Sequence, residues 1–235
     1  MPALYPVLVT DTVRERPRMG YASLTLLSLK DACEALLRGD LVVFPTETFF
    51  AIGCDAMNPD AVGSVFSVKK RALNMPLPVV IGHRDFLPQI TAYVTPAASA
   101  LMDAFWPGPL SIVLPANPEV PELLTANAGR IAVRFSPHPA VLSLCEATGK
   151  VLVASSANLS GQPSAGELES IDVSLLENTA GIYLEGPLPE GQLPSTVVDI
   201  VEKRDKAFIR LLRPGSISIE DLRAAGFFLL EQTDS

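Results

Sequence analysis

The sequence predicts an α/β domain built on a mixed β-sheet flanked by helices. Three observations carry that expectation. Short apolar runs of strand length, LVVFP (41–45), LPVVIG (77–82), LSIVLPA (110–116) and RIAVRF (130–135), alternate with segments of helical periodicity. Some runs follow one another directly, as LVVFP and FFAIGC (49–54) do, and such pairs fit a mixed sheet better than a strictly parallel one. The chain has 235 residues, 48% of them hydrophobic, enough to bury a large core in one domain of this class.

Taken in order, residues 1–22 carry Arg14, Arg16 and Arg18 without periodicity and read as an N-terminal arm, leaving 23–235 as the folded domain. Leu29, Ala32, Cys33, Leu36 and Leu37 then mark one face of a helix that Ser28 can cap and Gly39 can end. Asn58-Pro59 opens a second helix, with Asn as N-cap and Pro at the first position, and Val62, Val65 and Phe66 on its apolar face. It runs out at Lys69-Lys70-Arg71. Thr95-Pro96 starts a third, with Leu101, Met102 and Phe105 inward, and a fourth spans 139–148 between RIAVRF and the strand VLVAS (151–155). STVVDIV (195–201) and AFIRLL (207–212) are two further strands, and Ser218 caps a short last helix.

Composition excludes several functions. No apolar stretch reaches the ~18 residues of a membrane span, and no secretory signal is expected at the N-terminus. Cys33, Cys54 and Cys145 form no C-x-x-C and suit a reducing cytoplasm. His83 and His138 are the only histidines, too few for an ordinary His/Cys zinc site, and neither lies in a hydrolase motif. No G-x-G-x-x-G opens a helix and no G-x-x-x-x-G-K-[ST] occurs. The net charge is −8, with 7 basic and 13 acidic residues in 150–235, so the overall field repels nucleic acid and phosphate chemistry must come from a local basic cluster.

Six segments are candidates. Lys69-x-Arg71 places its two side chains ~200° apart on a helix, so both can meet one ligand only if the helix ends near Lys69. Arg offers phosphate a planar fork and Lys a point charge, although a basic helix C-terminus favoured by the macrodipole has the same look. At such a helix end truncation is expected to leave the fold intact. Ala154-Ser155-Ser156-Ala157-Asn158-Leu159-Ser160-Gly161 follows a buried strand, where open α/β sheets place ligands, or is a solvated polar turn. Pro45-Thr46-Glu47-Thr48 is a weak set of turn formers between two strands. Trp106-Pro107-Gly108-Pro109 reads better as a rigid helix-to-strand corner than as a ligand contact. Arg134 lies on the strand face opposite Ile131 and Val133, and there an arginine finds an acid or faces a cleft. Ser195-Thr196-Val197-Val198-Asp199 with Arg213-Pro214-Gly215 is the sixth.

Together these segments resemble the YrdC/TsaC family, the threonylcarbamoyl-AMP synthases. FPTETFFAIGCDA, the K-x-R followed by PLPVVI, WPGPLSIVL, IAVRFSPHP, SSANLSG, STVVD and RPGSI stand in family order over roughly residues 25–220. The resemblance is to the short form without an additional C-terminal domain. It implies a twisted mixed sheet with a deep basic groove, and an activity: L-threonine, bicarbonate and ATP to threonylcarbamoyl-AMP and pyrophosphate. The product feeds threonylcarbamoyl modification of the tRNA adenosine next to the anticodon, through a downstream transferase complex, with at most weak tRNA contact. Carried over by position, Lys69 and Arg71 are the phosphate-binding pair, Ser156 and Asn158 face the nucleotide, and Ser164 and Arg213 are further nucleotide contacts. Thr48, Arg134 and Ser195 line the threonine pocket, with Arg134 suited to the carboxylate. Mg²⁺ is expected to arrive with ATP rather than in a protein metal site. Met75, Val80 and Phe50 depart from the family pattern. The rival readings are a carbamoyl-AMP-forming relative, as in hydrogenase maturation proteins, and a non-catalytic RNA-binding module.

Overall fold

The computed structural model describes residues 25–189, 193–203 and 206–230; the expected N-terminal arm lies outside them. Along the chain run β1 (Leu26–Leu27), α1 (Leu29–Arg38), β2 (Val42–Pro45), β3 (Phe50–Gly53), α2 (Pro59–Lys69), β4 (Val79–Ile81), α3 (Leu87–Ile90), α4 (Pro96–Phe105), β5 (Leu110–Pro115) and α5 (Glu122–Thr125). There follow β6 (Arg130–Phe135), α6 (Pro139–Thr148), β7 (Leu152–Val153), β8 (Ser155–Ser156), α7 (Val173–Leu176), β9 (Gly181–Tyr183), β10 (Thr196–Lys203), β11 (Lys206–Arg213) and α8 (Ile219–Ala224).

The caps are the ones the sequence signals. The Ser28 hydroxyl accepts the Asp31 N–H at the start of α1, and Gly39 closes that helix at φ 92°, where a side chain would be strained. Asn58 accepts the N–H groups of Asp60 and Ala61, and α2 stops because Lys70 turns left-handed, at φ 51°. Thr95 and Ser218 cap α4 and α8. The tryptophan corner is rigid, with the Trp106 indole N–H donating to the Leu110 carbonyl at 2.7 Å.

The expected mixed α/β architecture is present, with the strands divided between two sheets. One has the order β1-β9-β2-β3-β8, the other β11-β10-β5-β6-β4-β7. Both are mixed: β2 is parallel to β9 and antiparallel to β3, while β4 is parallel to β6 and antiparallel to β7. The run VLVAS, expected as one strand, is two. β7 pairs with β4 in the second sheet, and after Ala154 the chain passes into the first sheet as β8, beside β3. Bifurcation at Ala154 satisfies its N–H with the Pro78 carbonyl at 3.0 Å.

Alternation along β2 divides the apolar side chains between two cores. Val43 packs with Val62, Val65 and Phe66 of α2 and with Leu101 and Met102 of α4. Val42 and Phe44 point the other way, onto Ala32 and Leu36 of α1 and Val141 and Leu144 of α6. The candidate residues cluster where α2, the β2–β3 loop, β6 and the ends of β8 and β11 come together.

Candidate active site

Lys69 is the last residue of α2, and its side chain turns inward. It is 2% exposed, and its ammonium donates to the backbone carbonyls of Ser156 and, at 2.5 Å, Asn158. Lys69 is therefore a buried cross-link between α2 and the S-x-N turn, more than a basic helix C-terminus favoured by the macrodipole requires. Burial, and secondarily the neighbouring Arg71, lower its pKa from the ordinary 10.5 to about 8. Arg71 follows the left-handed Lys70 and lies in the loop, as the two-residue spacing required. Its Nε and Nη2 donate to the Met75 and Pro76 carbonyls at 3.1 and 2.8 Å, so it holds the 71–76 loop closed on itself.

The S-x-N turn is internally fixed. The Ser156 hydroxyl donates to Asn158 Oδ1, and Asn158 Nδ2 donates to the Leu159 and Gln162 carbonyls at 2.8 and 2.7 Å. The Ser160 N–H reaches the Lys69 carbonyl at 2.9 Å, a second tie between the turn and α2. Ser164, half-buried, precedes Ala165, whose carbonyl accepts the Phe50 N–H at 2.9 Å. Phe50 in turn accepts the Ala157 N–H at 2.8 Å, which brings the whole segment against the β2–β3 loop.

That loop, residues 46–49, is held by its own threonines. The Thr46 hydroxyl donates to the Phe49 carbonyl at 2.7 Å and lies 3.1 Å from the Thr48 hydroxyl, both side chains being buried. Glu47 between them turns onto β6. Its carboxylate accepts Arg134 Nη1 on one oxygen and the Ser136 hydroxyl on the other. Arg134 thus finds an acid, one of the two outcomes its place in an apolar strand allowed.

Arg213 closes the third side. Its Nη2 donates to the Ser195 hydroxyl at 2.9 Å and the Ser195 carbonyl at 2.7 Å, and Ser195 Oγ also lies 3.0 Å from Ser111 Oγ. Burial, and then the charge of Arg134, lower the Arg213 pKa, which puts the two guanidiniums within mutual influence. Gly215 makes the approach possible. A Cβ there would sit 2.3 Å from the Pro194 carbonyl oxygen and 2.5 Å from the Thr196 nitrogen.

The structure brings the nine candidates together in groups. Lys69 is bonded to the carbonyls of Ser156 and Asn158, Arg134 to Glu47 beside Thr48, and Arg213 to Ser195, while Arg71 bonds within its own loop and Ser164 is placed only by its neighbour Ala165. The three departures sit among these residues. Met75 supplies a carbonyl to Arg71, Phe50 is fully buried in the core, and Val80 is the register partner of Arg134 across β4 and β6. Sequence reading did not single out Glu47 as a site residue, nor Ser136 or Ser111. The poor turn chemistry of Pro45-Thr46-Glu47-Thr48 was a signal for the first, and its two-residue spacing from Arg134 a signal for Ser136.

Comparison with known proteins agrees in extent. A family model for Sua5/YciO/YrdC, described as "Telomere recombination", matches residues 34–215. The threonylcarbamoyl-AMP synthase of Xylella fastidiosa (strain M23) is 37% identical over 179 residues, 74% of this chain and 94% of that protein. The protein of the same name from Bacillus subtilis (strain 168) is 38% identical over 192 residues, 81% of this chain and 54% of the relative. P. abyssi Sua5 complexed with L-threonine superposes with a TM-score of 0.76 at 30% identity, covering 86% of this chain and 58% of the other. This chain thus spans little more than half the length of those last two proteins. With the family model covering the whole constellation from Thr48 to Arg213, the chain belongs to the Sua5/YciO/YrdC family.

Proposed function

We propose that this protein is an L-threonylcarbamoyladenylate synthase, forming threonylcarbamoyl-AMP and pyrophosphate from L-threonine, bicarbonate and ATP. The observation that carries this is the joining of K-x-R to S-x-N through Lys69, together with the Arg213–Ser195 and Arg134–Glu47 pairs that bring two guanidiniums and the hydroxyl of Ser195 into the same region. Relatives named threonylcarbamoyl-AMP synthase and a threonine-bound Sua5 of the same fold support it. The catalytic unit is taken to lie within residues 23–235.

Lys69 and Arg71 neutralise the triphosphate, and Ser156, Asn158, Ser164 and Arg213 hold the nucleotide. Thr48, Arg134 and Ser195 hold threonine, Arg134 through its carboxylate. The threonine amine adds to the bicarbonate carbon and water leaves, giving the carbamate; a carbamate oxygen then attacks the α-phosphorus, and the bond from that phosphorus to the oxygen bridging to the β-phosphate breaks to release pyrophosphate. Such a transfer needs alignment and charge neutralisation rather than a protein nucleophile, so cations and fixed hydroxyls suffice. Mg²⁺ enters with ATP as part of the substrate, and the cationic donor set at Lys69 and Arg71 suits an ion carried by phosphate oxygens. The carbamate is labile, so the occupied site has to close against water.

A tRNA-modifying transferase complex consumes the product, and direct tRNA contact is weak given a net charge of −8. The buried free thiols of Cys33, Cys54 and Cys145 support a cytoplasmic location. Among the described residues no helix is long and apolar enough to cross a membrane.

Pyrophosphate release with threonine, bicarbonate or ATP omitted in turn is the test. The expected result is dependence on all three, with at least tenfold loss in Arg71→Ala. Release driven by carbamoyl phosphate without threonine would favour the carbamoyl-AMP-forming reading, and no release with retained RNA binding would favour the RNA module.

A further inference from the structure

The geometry points to Glu47 as the positioning residue that aims Arg134 at the amino-acid carboxylate. This rests on the threonine-binding role proposed above for Arg134 and extends it to a residue outside the expected pocket.

The arrangement is two-sided. Arg134 and Ser136 are two positions apart at the end of β6, so their side chains leave the same face of the sheet. Glu47 comes from the facing β2–β3 loop and takes one of them on each carboxylate oxygen. The Glu47 and Arg134 side chains are only 17% and 8% exposed, so the pair is screened little by solvent. Ser136 is itself fixed, accepting the His138 N–H on its hydroxyl at 3.2 Å and having no exposed surface. Glu47 therefore cannot swing without leaving a buried hydroxyl and a buried guanidinium short of a partner.

The pairing leaves Arg134 able to bind. A guanidinium carries five N–H donors in a rigid plane, and Glu47 takes Nη1 at one corner. A second carboxylate can still meet the remaining edge side-on. Held at one corner by an anchored acid, the plane has its tilt set before substrate arrives, so binding loses less side-chain freedom. Thr48 lies next to Glu47 in the chain, with its hydroxyl held by Thr46, and Arg134 lies near enough to Arg213 to add to the lowering that burial imposes on the Arg213 pKa. One short loop thus supplies both a hydroxyl of the pocket and the brace for its arginine. A mere competitor for Arg134 would behave in the opposite way: removing it would free the guanidinium and tighten threonine binding.

Glu47→Gln keeps the shape but cannot accept from both donors with full charge. The experiment compares the threonine KM, the ATP KM and the inhibition constant of L-threoninol, which lacks the carboxylate, in the parent and the variant. The expected result is a tenfold or greater rise in threonine KM, with ATP KM and threoninol inhibition within twofold of the parent. Ser136→Ala, which frees the other end of the brace, should move threonine KM in the same direction by about two- to fivefold, and serves if Glu47→Gln proves too unstable to assay. The double variant Glu47→Gln/Arg134→Ala should bind threonine no worse than Arg134→Ala alone. A fall in threonine KM in Glu47→Gln, or an equal loss for threonine and threoninol, would overturn the positioning role. If Arg134→Ala raises threonine KM while Glu47→Gln does not, the brace is wrong and the pocket assignment stands. If Arg134→Ala leaves threonine KM unchanged, the carboxylate assignment itself fails, and the brace with it.

Discussion

Lys69 Nζ lies 2.5 Å from the carbonyl oxygen of Asn158, 89 positions away in the chain. The helix end and the polar turn are thereby a single object, and the charge proposed to meet phosphate also holds the shape of the turn proposed to meet the nucleotide. The same burial makes Lys69 titrate where enzymes are assayed.

Its pKa is lowered to about 8 in the folded protein, against about 10.5 ordinarily. Between those values the folded state binds fewer protons here than the unfolded chain. Stability from this group therefore rises with pH across that window and is least below about pH 8. A triphosphate favours the charged form, so ATP binding near pH 9 should take up a proton, and the KM for ATP should climb as pH passes about 8. Lys69→Arg, charged throughout, should flatten that profile even if its longer side chain lowers kcat. Calorimetry in buffers of different ionisation enthalpy measures the proton directly; no uptake at pH 9 would contradict the role.

Gly215→Ala should damage the site without touching a substrate. Its new methyl would press on the backbone at Pro194, Ser195 and Thr196, atoms that cannot rotate away. The expected cost is ~1–3 kcal/mol of stability, as for other overpacked positions, together with a larger loss in kcat/KM than in melting temperature because Ser195 and Arg213 are displaced. Thermal denaturation beside steady-state kinetics checks it. An unaltered kcat/KM would show that the Arg213–Ser195 clamp is not needed.

Threonine should outcompete valine by about 5- to 150-fold in kcat/KM, the equivalent of ~1–3 kcal/mol for a buried hydroxyl left unpaired. Serine keeps the hydroxyl and loses a methyl contact, so it should be a detectable poor substrate. Ser195→Ala should narrow the threonine–valine gap, whereas Arg134→Ala should weaken all three amino acids together. Equal rates with valine and threonine in the parent would remove side-chain readout from Thr48 and Ser195.

The thiols should be inert in the native state. Burial raises all three above the ordinary thiol value, Cys145 to about 12, so little thiolate exists at neutral pH. Iodoacetamide should label none of them until the protein is unfolded, by mass spectrometry, and reductant should leave the rate unchanged. Rapid labelling of Cys54 with loss of activity would be inconsistent with its burial.

Local signals made much of this legible. Ser28, Asn58-Pro59, Thr95-Pro96 and Ser218 each marked a helix start, because a cap is a contact between residues two or three apart. The division into two sheets was not legible, since β1 and β9 have two and three residues and owe their pairing to distant partners. The break at Ala154 was hidden for the same reason: an apolar run does not record which sheet each half joins. The candidate site residues came from ordered motifs, while Glu47 did not, because a carboxylate in a turn looks solvated until the facing strand is known. The burial of Lys69 was not legible either, since it depends on a turn far along the chain.

The position of β9 between β1 and β2 has a consequence for synthesis of the chain. The two early strands leave the ribosome with a vacant lane between them, and that lane is filled only when residues 181–183 follow. Until then β2 offers the solvent an unpaired edge along a wholly apolar run, the kind of edge that recruits foreign strands. A pause in translation before β9 should therefore be the interval at which the nascent chain most needs a chaperone, and ribosome-bound chains halted just before and just after that strand should differ sharply in aggregation.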